Sequence, residues 1–125
     1  MKKIFCIILG ISLLTSIAAP RGFAGKEKYG EDISNRKLTE LKQIFADPKA
    51  YEGKLVTIEG TIASECGSGC WFYVKVGSGN LSIYVDIRPA GFAIPQYVGR
   101  KVLVEGTVFI DATGPKIKGR GVEIK

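Results

Sequence analysis

The stretch YEGKLVTIEGTI at residues 51–62 returns as YVGRKVLVEGTV at residues 97–108. Each copy enters an alternating apolar run through a glycine turn, and each carries Glu-Gly-Thr near its middle, at 59–61 and again at 105–107. In the first copy Val56, Ile58 and Ile62 share one face, with Thr57, Glu59 and Thr61 opposite. In the second, Val102, Val104, Val108 and Ile110 form the corresponding stripe. A period of two predicts strands. A glycine on the apolar face of such a strand marks a point where a Cβ would clash and the chain bends sharply. Two strands bent in the same way, at Gly60 and Gly106, let a short sheet curl into a small closed barrel.

The flanking sequence supplies the remaining elements. Trp71 to Val76 alternates with Phe72, Val74 and Val76 on one side and Trp71, Tyr73 and Lys75 on the other. Gly77 to Asn80 reads as a turn, and Leu81, Ile83, Val85 and Ile87 mark the next strand. Pro89 to Gln96 interrupts the pattern, suiting a short helical or irregular connector, and its Phe92-Ala93-Ile94-Pro95 reads either as a plug for one barrel end or as a binding segment. After a turn at 111–114, residues 115–124 form a ragged last strand whose Gly119 and Gly121 predict a bend or bulge. Before the first strand, Leu38, Leu41, Ile44 and Phe45 recur on one face of a short helix, with Ser34 or Asn35 as N-cap and Asp47-Pro48 as the stop. The expected fold class is therefore all-β, a five-stranded OB-like barrel with a short N-terminal helix. A sandwich is the alternative, and five short strands are few for it.

Residues 1–24 read as a leader. Lys2 and Lys3 precede an apolar run from Ile4 to Leu14, and Gly22-Phe23-Ala24 meets the small-x-small rule for cleavage. Ser16-Ile17-Ala18 offers an earlier site, and a retained tether is the alternative to cleavage. Cys6 lies inside the apolar run and away from either cleavage site, which argues against a lipid anchor. The expected organisation is a signal peptide at 1–24, a flexible lead-in at 25–37 and an OB-like domain at 38–125. The mature chain would carry no transmembrane segment and would reside in the periplasm or be secreted.

Removal of this leader changes the chemistry. The whole chain has formal charge +6, and loss of Lys2, Lys3 and Arg21 lowers it to +3, a weak argument for a polyanionic partner. Of three cysteines, Cys66 and Cys70 would remain, and the sequence has no histidine. Haem ligation by histidine, a Ser-His-Asp triad and a Cys-His nucleophile are thereby excluded. No nucleophile and base are paired in the sequence, so the chain reads as not an enzyme, with no cofactor expected.

Cys66-Gly67-Ser68-Gly69-Cys70 falls between the first two barrel strands. A structural disulfide is the leading reading in an oxidising compartment. Thiol redox use is a second, against which stand the spacing and Glu65, expected to disfavour a thiolate. Soft-metal binding is a third, with Glu65, Asp86 or Asp111 as the added acidic groups. The metal assignment is left unknown.

Gly60, Cys66, Gly69-Cys70-Trp71, Gly91-Phe92-Ala93-Ile94-Pro95 and Gly99 together resemble a group of small exported bacterial OB-fold proteins of uncharacterised function. The resemblance spans about residues 38–124 and implies fold and export while leaving chemistry open. Other OB families bind oligonucleotides or oligosaccharides. A periplasmic haem chaperone shares the barrel, but its haem-attaching histidine has no counterpart here.

For ligand binding the candidates are Trp71, Tyr73, Tyr84 and Arg88, with Lys75, Lys116, Lys118 and Arg120 supplying nearby charge. Paired second and third strands would place Tyr73 beside Tyr84. The bland reading has the aromatic residues merely bracing the barrel exterior. The function expected is an exported noncatalytic binding or interaction module with a structural disulfide. Its partner would be an envelope protein, a peptide or a glycan. Soft-metal or thiol-redox handling by Cys66 and Cys70 is one alternative. A single-stranded nucleic-acid binder is the other, and export argues against it.

Overall fold

In the computed structural model of the chain, residues 27–77 and 80–125 are described. The expected leader and the first two residues of the lead-in lie outside them. The elements are β1 (Glu27–Gly30), α1 (Leu41–Ala46), α2 (Pro48–Tyr51), β2 (Leu55–Glu65), β3 (Trp71–Lys75), β4 (Ser82–Asp86), β5 (Lys101–Asp111) and β6 (Gly114–Ile124). Strand order is β1-β6-β4-β3-β2-β5, and β5 also pairs with β6. That last pairing closes β2 to β6 into a five-stranded barrel, with a parallel contact where Val85 and Asp86 meet Ile117 and Lys118. The fold is the expected all-β OB-like barrel and not a sandwich.

The two copies of the internal echo are neighbours. β2 and β5 run antiparallel, and Ile58 pairs with its own counterpart Val104. In the same register Gly60 pairs with Val102, and Val56 with Gly106. The echo thus surrounds a local two-fold relation between two long bent strands. At Gly60 a Cβ would stand 2.4 Å from the Lys75 carbonyl oxygen, and at Gly106 it would stand 2.2 Å from that of Lys118. Both strands coil too tightly there for any side chain. The expected irregularity in the last strand falls at Arg120, which is skipped where Glu105 pairs with Gly121 and Gly106 with Gly119.

The inward stripes form one core, including Val56, Ile58, Ile62, Phe72, Val74, Ile83, Val85, Val104, Ile117 and Ile124. Leu41 and Ile44 from α1 join it, which explains why so short a helix is kept. The connector after β4 contributes buried Ile94, with Phe92 packed against the cluster, so this segment plugs the barrel, the first of the two readings its apolar residues allow.

Three local expectations differ. The helix begins at Leu41 rather than Leu38, and its N-cap Glu40 makes no side-chain cap bond. Ser34 and Asn35 are drawn instead to buried Glu105, whose carboxylate accepts charge-assisted bonds from both backbone N–H groups and from Ser34 Oγ, the last at 2.9 Å. Pro48 ends α1 but also opens α2, where its missing N–H is harmless. The lead-in is ordered from Glu27: β1 pairs with β6 from Glu27↔Ile124 to Gly30↔Gly121, and Ile33 is buried. Its polar composition hid a strand whose backbone bonds come from β6.

Residues 31–39 continue as a strap over the outer surface of β2, β5 and β6. Thr57, Leu103, Glu105 and Glu123 point away from the core, yet all are buried. Thr57 Oγ1 donates to the Asn35 carbonyl at 2.5 Å, Thr39 N–H to the Thr57 carbonyl at 2.8 Å, and Arg36 pairs with Glu123. Arg120 Nε adds a 3.1 Å bond to Glu105. Gly121 permits this approach, because a Cβ there would stand 2.2 Å from the Glu31 carbonyl oxygen.

Candidate functional site

The opposite treatment is given to the outer face of β3 and β4. Alternation places Phe72, Val74, Ile83 and Val85 in the core, which turns Trp71, Tyr73 and Tyr84 outward. Tyr73 and Tyr84 are direct cross-strand partners and Trp71 faces Asp86. The ring centroids of Tyr73 and Tyr84 are 5.4 Å apart and T-shaped, Trp71 and Tyr84 are 5.6 Å apart, and Trp71 and Tyr73 6.0 Å. These are the favourable edge-to-face and tilted separations of aromatic pairs. Tyr73 is exposed and the other two rings are half-buried. The sequence-level pairing of Tyr73 with Tyr84 holds, and the third ring completes one cluster.

Arg88 stands at the end of β4 beside it. Its guanidinium forms a two-point contact with Asp86, both bonds at 2.9 Å, and reaches Tyr84 Oη at 3.4 Å. The Asp86 carboxyl is held below the usual carboxylate range chiefly by that bond, while burial and the nearby Asp86 carboxylate raise the Tyr84 phenol. Lys116 Nζ lies 5.6 Å from the Tyr84 ring centroid and also pairs with Asp111 at 3.0 Å. Lys118 is directed instead over Phe109, and Arg120 belongs to the strap network. Arg88 and Lys116 are thus already matched to carboxylates, unlike the open basic track of a nucleic-acid groove, while Lys75 stands exposed on the outward face of β3 with Trp71 and Tyr73.

The cysteine loop adjoins one end of this face. Its backbone is fixed by Gly69 N–H to the Cys66 carbonyl at 2.8 Å, Cys66 N–H to the Trp71 carbonyl at 3.0 Å and Ile87 N–H to the Cys70 carbonyl at 3.2 Å. Ile94 N–H donates to the Gly69 carbonyl at 3.1 Å, and Gln96 Nε2 donates to the carbonyls of Cys66 and Gly67. Gly69 is required twice over: its φ is +74°, and a Cβ would collide with the Ile94 backbone. Both cysteines are free thiols, half-exposed, with their sulfurs 3.1 Å apart. Ser68 Oγ sits between them, 3.2 Å from Cys66 and 3.4 Å from Cys70.

Bonds from Ser68 and then Cys70 lower the Cys66 thiol to about 6. The expectation that Glu65 disfavours a thiolate is corrected by its surroundings. Its carboxylate accepts the Tyr97 N–H at 2.8 Å and reaches toward Gln96, so it is engaged on the connector. Burial raises the Glu65 carboxyl, against the bond from Tyr97. Among the described residues no three of Cys, Asp, Glu and His gather in a metal-binding group. Asp86 and Asp111 face Arg88 and Lys116 instead of the sulfurs. No helix of the described residues is long and apolar enough to cross a membrane.

Closed barrel, N-terminal helix and plugged connector define a small OB-like barrel protein. The chain is similar in structure to the hypothetical protein ygiW from E. coli, with TM-score 0.52 and 22% sequence identity over 71% of this chain and 90% of that one. At this identity the likeness shows a shared fold. No protein-family model matches the chain, and no curated protein matches it.

Proposed function

We propose that the chain is an exported, noncatalytic binding module whose partner docks on Trp71, Tyr73 and Tyr84. The observation that carries this reading is the three-ring cluster on an outer sheet face, while the other outer face spends its side chains on the strap. Exposed, mutually packed aromatic residues offer apolar area at little further entropic cost, as interface anchors do. The partner class is a protein or peptide of the cell envelope. Pairing of Arg88 with Asp86 and of Lys116 with Asp111 speaks against a polyanion. The edge-to-face packing of Tyr73 against both Trp71 and Tyr84 differs from the flat array on which successive bases or sugars stack. Cys66 and Cys70 border the docking face, and in an oxidising compartment they close into a disulfide. In the chain-entropy account so short a loop adds about 2 kcal/mol.

The test is selection of peptides from a displayed random library on the mature chain, with a fluorinated oligosaccharide panel and a mixed single-stranded oligonucleotide as parallel probes. Peptides whose affinity falls at least ~10-fold on Tyr73→Ala, with an unchanged barrel by circular dichroism, support the reading. Binding confined to the oligonucleotide or saccharide, or indifferent to Tyr73→Ala, overturns it. The mass of the native protein tests export separately: loss of residues 1–24 is expected, and an intact N-terminus refutes cleavage.

A further inference from the structure

A structural disulfide and a reactive dithiol make different demands on their surroundings. A purely structural pair is served by burial, which keeps it inert. Here both cysteines are half-exposed, and a hydroxyl lies within reach of either sulfur. The loop backbone is already tied to β3, to the residue after β4 and to the connector. Sulfurs 3.1 Å apart need close by only about 1 Å to reach bonding distance. Thiol and disulfide forms therefore fit nearly the same backbone.

We propose that Cys66 and Cys70 form a thiol–disulfide exchange centre, in which Cys66 attacks an external disulfide and Cys70 resolves the mixed disulfide. The Cys66 thiolate forms a bond to one sulfur of R–S–S–R, the R–S–S–R bond breaks, and the first R–S⁻ leaves and takes a proton from water. Cys70 then gives its proton to water and attacks Cys66 Sγ. The Cys66–Cys70 bond forms, the mixed disulfide breaks, and the second R–S⁻ leaves and takes from water the proton that Cys66 released there on ionising. Two electrons and two protons pass from the cysteine pair to the external disulfide, which becomes two thiols. Run in reverse, the oxidised pair oxidises an external dithiol. Each event is a single stoichiometric exchange.

The neighbouring groups divide the roles. Ser68 can donate its hydroxyl to the Cys66 thiolate before attack and turn to the Cys70 sulfur at resolution. The lowered Cys66 thiol keeps much of it ionised near neutrality. Of the charged groups nearby, Glu65 on β2 is engaged by Tyr97. On the β4 side, Arg88 and Tyr84 are each close enough to Cys70 for their charges to interact, with Asp86 held by Arg88. The inference concerns small disulfides as well as proteins, so it stands apart from the aromatic docking face.

The reduced full mature chain is mixed with glutathione disulfide and followed by mass spectrometry. Cys70→Ser is expected to accumulate one glutathionyl group at Cys66, whereas Cys66→Ser reacts at least ~10-fold more slowly at pH 7. Wild type should pass to the intramolecular disulfide without accumulating the adduct. Iodoacetamide alkylation of Cys70→Ser and of Cys70→Ser with Ser68→Ala then reads the role of the hydroxyl. The midpoint in the first should lie well below the ~8.5 of an ordinary thiol and rise on loss of Ser68. Equal rates for the two single-cysteine variants, or an ordinary midpoint in Cys70→Ser, overturn the proposal. Tyr73→Ala should leave the glutathione reaction unchanged, so failure of the docking reading and failure of this one remain distinguishable.

Discussion

Two outer faces of the same barrel meet opposite fates. On β2, β5 and β6, the outward residues Thr57, Leu103, Glu105 and Glu123 vanish beneath the strap, and every polar group among them has a partner. On β3 and β4, the outward Trp71, Tyr73 and Tyr84 touch one another and keep Tyr73 in the open. The first face is finished within the chain. The second, made of more apolar residues, is the one that gains by meeting a partner. Polar residues are buried where the fold supplies their bonds, and aromatic residues stay outside where it does not cover them.

The sharpest way to break this contrast is Glu105→Ala. It strips the carboxylate from the N–H groups of Ser34 and Asn35 and from Arg120, and the expected loss is about 3 kcal/mol in urea unfolding. A loss below ~0.5 kcal/mol would mean that the strap merely rests on the barrel. Gly121→Ala attacks the same face by steric means, pressing a methyl against the Glu31 carbonyl. About 2 kcal/mol should be lost, with faster amide exchange in residues 27–37. Unchanged exchange would show that the close approach carries no constraint.

Acid provides a reversible version of the first experiment. Burial pushes the Glu105 carboxyl upward, but the bonds from Ser34, Asn35 and Arg120 outweigh it and hold it below its ordinary value. A folded-state value lower than the unfolded one stabilises fully above the unfolded value, about 4.3, and that contribution drains away as pH falls through the folded value. Asp86 and Asp111 shift in the same direction, so the informative quantity is the difference between wild type and Glu105→Gln. Wild type should lose more stability from pH 7 to pH 3, and parallel profiles would remove Glu105 from the strap's pH response. The smallest effect on stability belongs to the other face. Tyr73→Ala should cost about 1 kcal/mol or less in the same unfolding assay, because the ring is exposed and loses mainly its two aromatic contacts. A cost approaching that of Glu105→Ala would make the aromatic cluster a structural brace.

The difference between the faces also explains what could be read from the chain. Alternation in Val56–Ile58–Ile62 and Val102–Val104–Val108, interrupted by Gly60 and Gly106, is a local record of strands that must bend, and it led to the barrel. The proximity of Tyr73 to Tyr84 followed from a short hairpin with one plausible register. The strap left no such record. Its strand Glu27–Gly30 is polar, and Ser34 and Asn35 carry the signature of a helix cap. Their true partner, Glu105, lies 70 residues or more away. A useful sign was nevertheless present: Glu105 interrupts an otherwise apolar run in a strand that carries a bulky residue on both faces. Glu65 was misread for the same reason, since adjacency to Cys66 in sequence does not say which way a carboxylate turns.

By itself the sequence determined the barrel, its two long bent strands, the plugging connector and the closeness of two cysteines in a glycine-bearing loop. Each of these follows from period, turn chemistry or short-range chain geometry, which residues carry individually. Tertiary structure alone decided which outer face is sealed, which carboxylates are engaged and that Ser68 stands between the two sulfurs. Those outcomes depend on contacts between segments far apart in the chain, where a side chain's partner is set by the folded path and not by its neighbours in sequence.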